Sequence, residues 1–312
     1  MILKYLLYRF KAVPFATIGK TPFREGTGMS LQVRPYCAEL EDTVKNLSHK
    51  AWILFKYNKD YDHQRMSCIF NEDGHLICVG YLRHGIADDH DVFEIEMPTN
   101  ELASNRMDEV REALYPTFIT TCQKLRNPNK KTKLVAWKDF YGDRAFYEEK
   151  GFIPYQTYYI AKRSLEKTMP EVSTPVGVHV IFHPMEFKEE RIKYTELENQ
   201  FYQGVVYRSV NMLEWMMGGP ELHTISAFEG NELVGSVMCW QTGAVERLFV
   251  ISRWRNKGLG KFLITKGFEY HLKNGRNEAE TLVNEQNKDA MLLLESMGYT
   301  FPVRLELMSR DI

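Results

Sequence analysis

The sequence predicts an α/β (α+β) protein made of two tandem domains that repeat one plan of strands and helices. Three observations carry this. The order of alternating strands and amphipathic stripes in the first half recurs in the second. A proline-bearing connector divides the halves, and the second half runs from an apolar strand through a basic loop into a glycine-led helix.

The elements follow from periodicity and turn chemistry. Residues 29–163 form the first domain, since Met29 is a natural start ahead of a strand over Leu31–Arg34. A helix over Glu39–Ser48 comes next, then a hairpin over Met66–Arg83 that turns at Asn71-Glu72-Asp73-Gly74, and a strand over Val92–Met97. The helix over Ser104–Leu125 carries Met107, Val110, Leu114, Phe118, Cys122 and Leu125 as one stripe, with Pro116 predicted to kink it. A strand over Leu134–Trp137 and a helix ending at Tyr147…Gly151-Phe152 close this half.

Residues 164–176 hold Pro170 and Pro175 with little apolar periodicity, and read as an exposed connector. The second domain, 177–312, opens with a strand over Val178–Phe182 and helices near Lys188–Tyr202 and Met212–Met217. Its hairpin, Leu222–Gln241, turns at Glu229-Gly230-Asn231. Then come a strand over Val245–Ile251, a helix from Gly258 to about Asn274, a strand over Glu280–Val283, and a helix capped by Asn287 that ends at Gly298.

Composition excludes several classes. The chain of 312 residues is 44% hydrophobic with a formal net charge of −1, so nothing pulls it as a whole toward nucleic acid or anionic lipid. No segment approaches the about 18 uncharged apolar residues of a membrane span. Lys4 and Arg9 interrupt the apolar start, which disfavours an export signal, and residues 1–28 read as an accessory extension or a start-site artefact. The five cysteines are scattered; a Cys68–Cys78 bridge is conceivable, but buried thiols in a reducing cytoplasm fit better. The run His84 to Asp91 matches no metal cage spacing. The basic turn Asn127 to Lys133 reads as solvated, and the rings of Phe201 to Arg208 and of Trp215 as packing or pocket lining.

The chemistry concentrates at Arg255-Asn256-Lys257-Gly258-Leu259-Gly260-Lys261. Glycines allow close backbone approach, and the first amides of a helix are unpaired and carry the positive end of its dipole. Arg255 and Lys257 add cationic donors, so the segment predicts a seat for a diphosphate. It is no Walker loop, because Gly260-Lys261 is followed by Phe262 rather than a hydroxyl residue. It is no dinucleotide fingerprint either, since the third glycine is missing.

The segment resembles the coenzyme A loop of the GNAT acyltransferases, Arg/Gln-x-x-Gly-x-Gly/Ala after a splayed strand. The downstream strand, the Asn-capped helix and the Gly298-Tyr299 ending follow in the family's order, so the resemblance covers roughly residues 221 to 300. It implies two GNAT-like domains, each a mixed, mostly antiparallel sheet flanked by helices. It also implies acetyl-CoA as cosubstrate without a metal, held by Leu248, Phe249, Val250, Arg255 to Lys261 and Asn287. Glu246 falls where the family places its general base, although pairing with Arg247 is the competing reading; Glu214, Glu221 and Glu232 are weaker candidates.

Two departures stand out. The family's tyrosine acid falls at Tyr147 in the first half but at Leu294 in the second, where the stripe Ala290, Leu293, Leu294, Met297 makes it core. Tyr207, Tyr270 and Tyr299 are the alternatives. The first half has no glycine between Gly85 and Gly142, so coenzyme A is expected only in the second. The implied protein is a cytoplasmic N-acetyltransferase of a small-molecule amine, with no nucleic-acid or membrane partner and with a homodimer left open. A non-catalytic acyl-CoA-binding regulator is the first alternative; an aminoacyl-transfer enzyme is disfavoured by the intact loop.

Overall fold

The computed structural model describes residues 31–62, 65–86, 90–138, 144–202, 208–218 and 221–312, so the extension over 1–28 and Tyr207 lie outside the described residues. The chain divides into two compact units. One, here the N-unit, takes the described residues up to 155 together with 202–215 and 306–312; the other, the C-unit, takes 156–201 and 216–305.

The N-unit contains β1 (Gln32–Pro35), α1 (Glu41–Leu47), α2 (His49–Tyr57), β2 (Ser67–Phe70), β3 (Leu76–Ile86), β4 (His90–Glu96), α3 (Met107–Leu125), β5 (Lys131–Trp137) and α4 (Arg144–Glu149). The helix α2 was not foreseen. Ser48 ends one helix and caps the next, accepting a hydrogen bond from the Ala51 amide at 3.2 Å, so one stretch becomes two helices. Ala51, Leu54 and Phe55 then bury the face of α2 against Tyr81 and Val79 of β3. Neighbouring strands β1 to β4 pair antiparallel, whereas β4 and β5 pair parallel across the α3 crossover. Residues Leu307 to Asp311 complete the sheet by pairing antiparallel with β5. Pro116 lies inside α3, as expected, and Thr117 and Thr120 donate their hydroxyls to carbonyls of that helix. All five cysteines are free thiols, with only Cys37 exposed.

The C-unit is built on β6 (Ile153–Ser164), β7 (His179–Phe182), α5 (Lys188–Gln200), α6 (Val210–Met217), β8 (Leu222–Glu229), β9 (Glu232–Trp240), β10 (Ala244–Val250), α7 (Leu259–Lys273), β11 (Glu278–Asn284), α8 (Lys288–Ser296) and the start of β12 (Thr300–Asp311). The elements β6, α6 and β12 begin in one unit and end in the other. Strands β7 to β10 form an antiparallel meander, and β10 meets β11 in parallel through α7. Leu259, Leu263, Ile264 and Phe268 bury one face of α7, and Leu294 of α8 with the following Met297 joins the same side. The opposite face of the sheet carries α5. Among the described residues, no helix is long and apolar enough to cross a membrane.

Candidate functional site

The C-unit sheet splits where the chemistry was expected. The parallel ladder of β10 with β11 consists of Ala244↔Glu280 and Val245↔Thr281, whereas β9 follows β10 to Val250. Beyond Val245 the backbone of Leu248, Phe249 and Val250 thus borders a wedge rather than a continuous ladder. At the mouth of this wedge the chain makes a short 3-10 turn over Ser252–Trp254 and then passes two left-handed residues, Asn256 at φ 59° and Gly258 at φ 83°. Alternation of this kind turns successive N–H groups to one side.

The Arg255 amide donates to Ser252 and the Phe262 amide to Gly258; the intervening amides, 256 to 261, make no well-formed backbone hydrogen bond among the described residues. They surround the N-terminus of α7, where the helix dipole is positive, and residues 255 to 258 are exposed. That arrangement fits a diphosphate. Arg255 anchors the loop from within, donating Nε to the Val250 carbonyl at 3.1 Å and lying over the Phe201 ring. Lys257 lies over the Trp254 ring, and Lys261 is exposed on the first turn of α7.

The two glycines serve different purposes. An added Cβ on Gly258 would meet nothing within 4 Å, so its backbone angle alone demands glycine. Gly260 has an ordinary backbone, but its α-carbon faces α8, where a Cβ would stand 3.3 Å from Leu293 Cδ2. Asn287 caps α8, its Oδ1 accepting from the Ala290 amide at 3.1 Å.

On the α5 side, Glu246 sits at a β-bulge: the register against β9 slips between Val245 and Arg247. A bulge breaks the strict alternation of side chains and re-aims them locally. Glu246 Oε2 accepts the Trp240 indole N–H at 2.9 Å, while Arg247 donates to Glu198 of α5 at 2.8 Å. Arg247 therefore has a partner other than its sequence neighbour. One turn before Glu198, Tyr194 packs its ring on Phe249 and donates to Ser236, which links through Ser226 to His183. Burial pushes the His183 imidazole below the ordinary histidine range.

Among the lesser candidates, Glu232 is clasped with Glu229 by Arg253, which holds both carboxyls below their usual range. Tyr299 is buried, its hydroxyl without a partner among the described residues, and burial raises its ionisation well above normal. Tyr270 is stacked on His223. Leu294 is 7% exposed, within the core as its stripe implied. Sequence reasoning did not find Trp240, Glu198 or Tyr194. The i, i+4 spacing of Tyr194 and Glu198 on one helix face was the available signal for the last two.

The corresponding region of the N-unit is closed. Its parallel ladder runs through five pairs, His90↔Lys131 to Glu94↔Val135. The loop after β4 is bonded to β3, with the Val79 amide donating to the Pro98 carbonyl and the Asn100 amide to the Ile77 carbonyl. Ile95, Arg111, Tyr115, Phe118, Phe146 and Tyr147 converge between β4, α3 and α4 and leave no room for a water-sized sphere. The Tyr147 hydroxyl is buried there without a partner among the described residues.

Residues 186–299 match the model of the Acetyltransferase (GNAT) family. Solved structures agree at the level of fold. A GCN5-related N-acetyltransferase from Sphaerobacter thermophilus superposes with a TM-score of 0.63 at 13% identity, covering 90% of this chain and 95% of that one. A tandem GNAT protein from the clavulanic acid biosynthesis pathway gives 0.61 at 13% identity, covering 90% and 98%. The N-myristoyltransferase of Saccharomyces cerevisiae, solved with myristoyl-CoA, gives 0.58 at 8% identity, covering 93% and 80%. Comparison with curated proteins gives no match. The two-domain expectation agrees with the tandem neighbour, and the fold is the mixed, mostly antiparallel one anticipated.

Proposed function

We propose that this protein is an acetyl-CoA-dependent N-acetyltransferase acting on a small-molecule primary amine. The observation that carries the reading is the set of unbonded amides at 256 to 261 beside the β10–β11 split. Those amides, with Arg255, Lys257 and Lys261, hold the diphosphate; the edge of Leu248 to Val250 borders the chain that bears the thioester, and Asn287 closes the seat. Acetyl-CoA supplies the activated acyl group. The amine attacks the thioester carbonyl directly and the carbon–sulfur bond breaks. Glu246, oriented by Trp240, takes the amine proton. A thiol with a pKa of about 8.5 leaves tolerably as thiolate, so the buried Leu294 in place of a tyrosine does not stop turnover.

Calorimetry with CoA and acetyl-CoA, followed by free-thiol release over a panel of primary amines, tests this. Binding together with acceptor-dependent thiol release is expected; a folded protein that gives no heat with either ligand overturns the reading. Leu294 favours a second reading, a non-catalytic acyl-CoA-binding regulator. Tight binding without thiol release for any amine selects it.

A further inference from the structure

The hairpin between β8 and β9 ends in a conflict of charge. Glu229 and Glu232 are its last cross-strand pair, and the turn between them is Gly230, at φ 58°, and Asn231. Two carboxylates directly opposite each other repel. Arg253, in the short turn ahead of the diphosphate loop, reaches both, donating from Nη2 to Glu229 Oε2 at 2.8 Å and to Glu232 Oε2 at 2.6 Å. The three side chains are 45% to 60% exposed, and a solvated clasp of this kind adds little to stability.

One contact of the clasp reaches inward. Glu229 Oε2 also accepts the indole N–H of Trp254 at 3.1 Å, and the Trp254 ring is buried in the core that holds Val178, Ile251, Leu259 and Leu263. Trp254 ends the turn, one residue before Arg255 and two before the left-handed Asn256. Lys257 folds back over the same ring, 5.1 Å from its centroid. The indole thus stands between the hairpin and the unbonded amides of the loop. The core seats its ring, and its one polar partner among the described residues, Glu229, fixes how the ring is turned.

We infer that Glu229 is a positioning residue for the diphosphate seat: by holding the Trp254 indole it orders the start of the loop, so that the amides at 256 to 261 are set before a ligand arrives. This rests on the reading of those amides as a seat for CoA. The sign of the effect separates positioning from plain electrostatics. A carboxylate beside an anion site repels the ligand, so removing a Glu229 that acted by charge alone would tighten CoA. Removing a Glu229 that orders the loop does the reverse, because binding must then supply the ordering.

The test compares Glu229→Ala, Glu229→Gln and Glu232→Ala by titration calorimetry with CoA. Glu229→Ala should weaken binding about three- to tenfold, the range for ordering a side chain and its loop on association. Glu229→Gln keeps an oxygen for the indole and should bind within about twofold of wild type. Glu232 meets Arg253 but not Trp254, so Glu232→Ala reports charge alone and should bind CoA as tightly as wild type or up to about threefold more tightly. Trp254→Phe keeps the ring without the N–H. It should lose as much affinity as Glu229→Ala, and the double variant should lose no more than either. In the protein without ligand, exchange of the Trp254 indole proton, followed by NMR, should quicken at least about tenfold in Glu229→Ala.

Unchanged or tighter CoA binding by Glu229→Ala overturns the inference. Equal losses in Glu229→Ala and Glu229→Gln, an equal loss in Glu232→Ala, or additive losses in the double variant overturn it too, since each would take the effect away from the indole. If folded wild-type protein gives no heat with CoA, the reading of the seat has failed. The indole exchange needs no ligand and still decides whether Glu229 holds Trp254; an unchanged rate there overturns the inference by itself.

Discussion

Exchanging each glycine of the loop for alanine separates backbone conformation from ligand clearance. At Gly258 the φ of 83° lies in the left-handed region, where a β-carbon costs about 1–2 kcal/mol. The methyl itself meets nothing within 4 Å, so no steric term is added. Reduced freedom of the unfolded chain returns about 0.4–1 kcal/mol, leaving a net destabilisation of about 1 kcal/mol. For a domain of this size that lowers the thermal midpoint by about 2–4 °C.

At Gly260 the sign reverses. The residue is helical, where alanine is favoured by about 1 kcal/mol, and the single close atom is the terminal Leu293 Cδ2 at 3.3 Å, which rotates away. Gly260→Ala is therefore expected at or slightly above wild-type stability. Because its new methyl faces α8 and Val250, CoA affinity should stay within about threefold. Gly258→Ala should weaken CoA about tenfold, equivalent to about 1.4 kcal/mol, by turning amides away from the ligand. Differential scanning calorimetry and titration calorimetry on both variants provide the check. A Gly258→Ala protein as stable and as tight-binding as wild type would refute the backbone argument, and a Gly260→Ala protein that loses CoA would show that the second glycine clears the ligand after all.

Glu246→Gln keeps an oxygen for the Trp240 indole but cannot take a proton, so kcat should fall about 10²- to 10⁴-fold with the melting temperature unchanged, measured by thiol release. His271, fully buried with both ring nitrogens unpartnered among the described residues, has its pKa lowered by burial to about 4. The unfolded chain therefore binds the proton more readily, and the stability this residue contributes is present above about pH 6.5 and lost as the pH falls toward 4, in all about 3 kcal/mol. Denaturation of His271→Leu across that range should show a flatter pH dependence; an identical slope would exclude the residue. Tyr147→Phe removes a buried hydroxyl that has no partner among the described residues, so it should leave stability the same or raise it by up to about 1 kcal/mol and leave acetyl transfer untouched. A loss of turnover there would return a catalytic role to the N-unit.

The left-handed loop and the helix start at 255 to 261 were legible in the sequence because their signal is local: two glycines and neighbouring cations lie within seven residues. The core role of Leu294 was legible for the same reason, since a stripe at helical spacing reports burial without tertiary information. Glu198 and Trp240 were not, because their meaning depends on α5 crossing β10 and on a bulge that no periodicity announces. The helix α2 was missed because Ser48 both ends and begins a helix, and only the cap geometry divides the two. The place of residues 306–312 and 208–215 in the N-unit is likewise invisible to a reading that treats a domain as a continuous stretch.

The seam between β4 and β5 has an implication for engineering and for descent. Grafting residues 255–261 into the loop after β4 would supply donors but no place to put the rest of a ligand, because the five-rung seam and the rings of Tyr115, Phe118 and Phe146 already fill that space. Opening a comparable wedge in the N-unit would require unzipping strands and hollowing a core at once. Either change alone would cost ladder hydrogen bonds or core packing, so no single substitution there would open the seam.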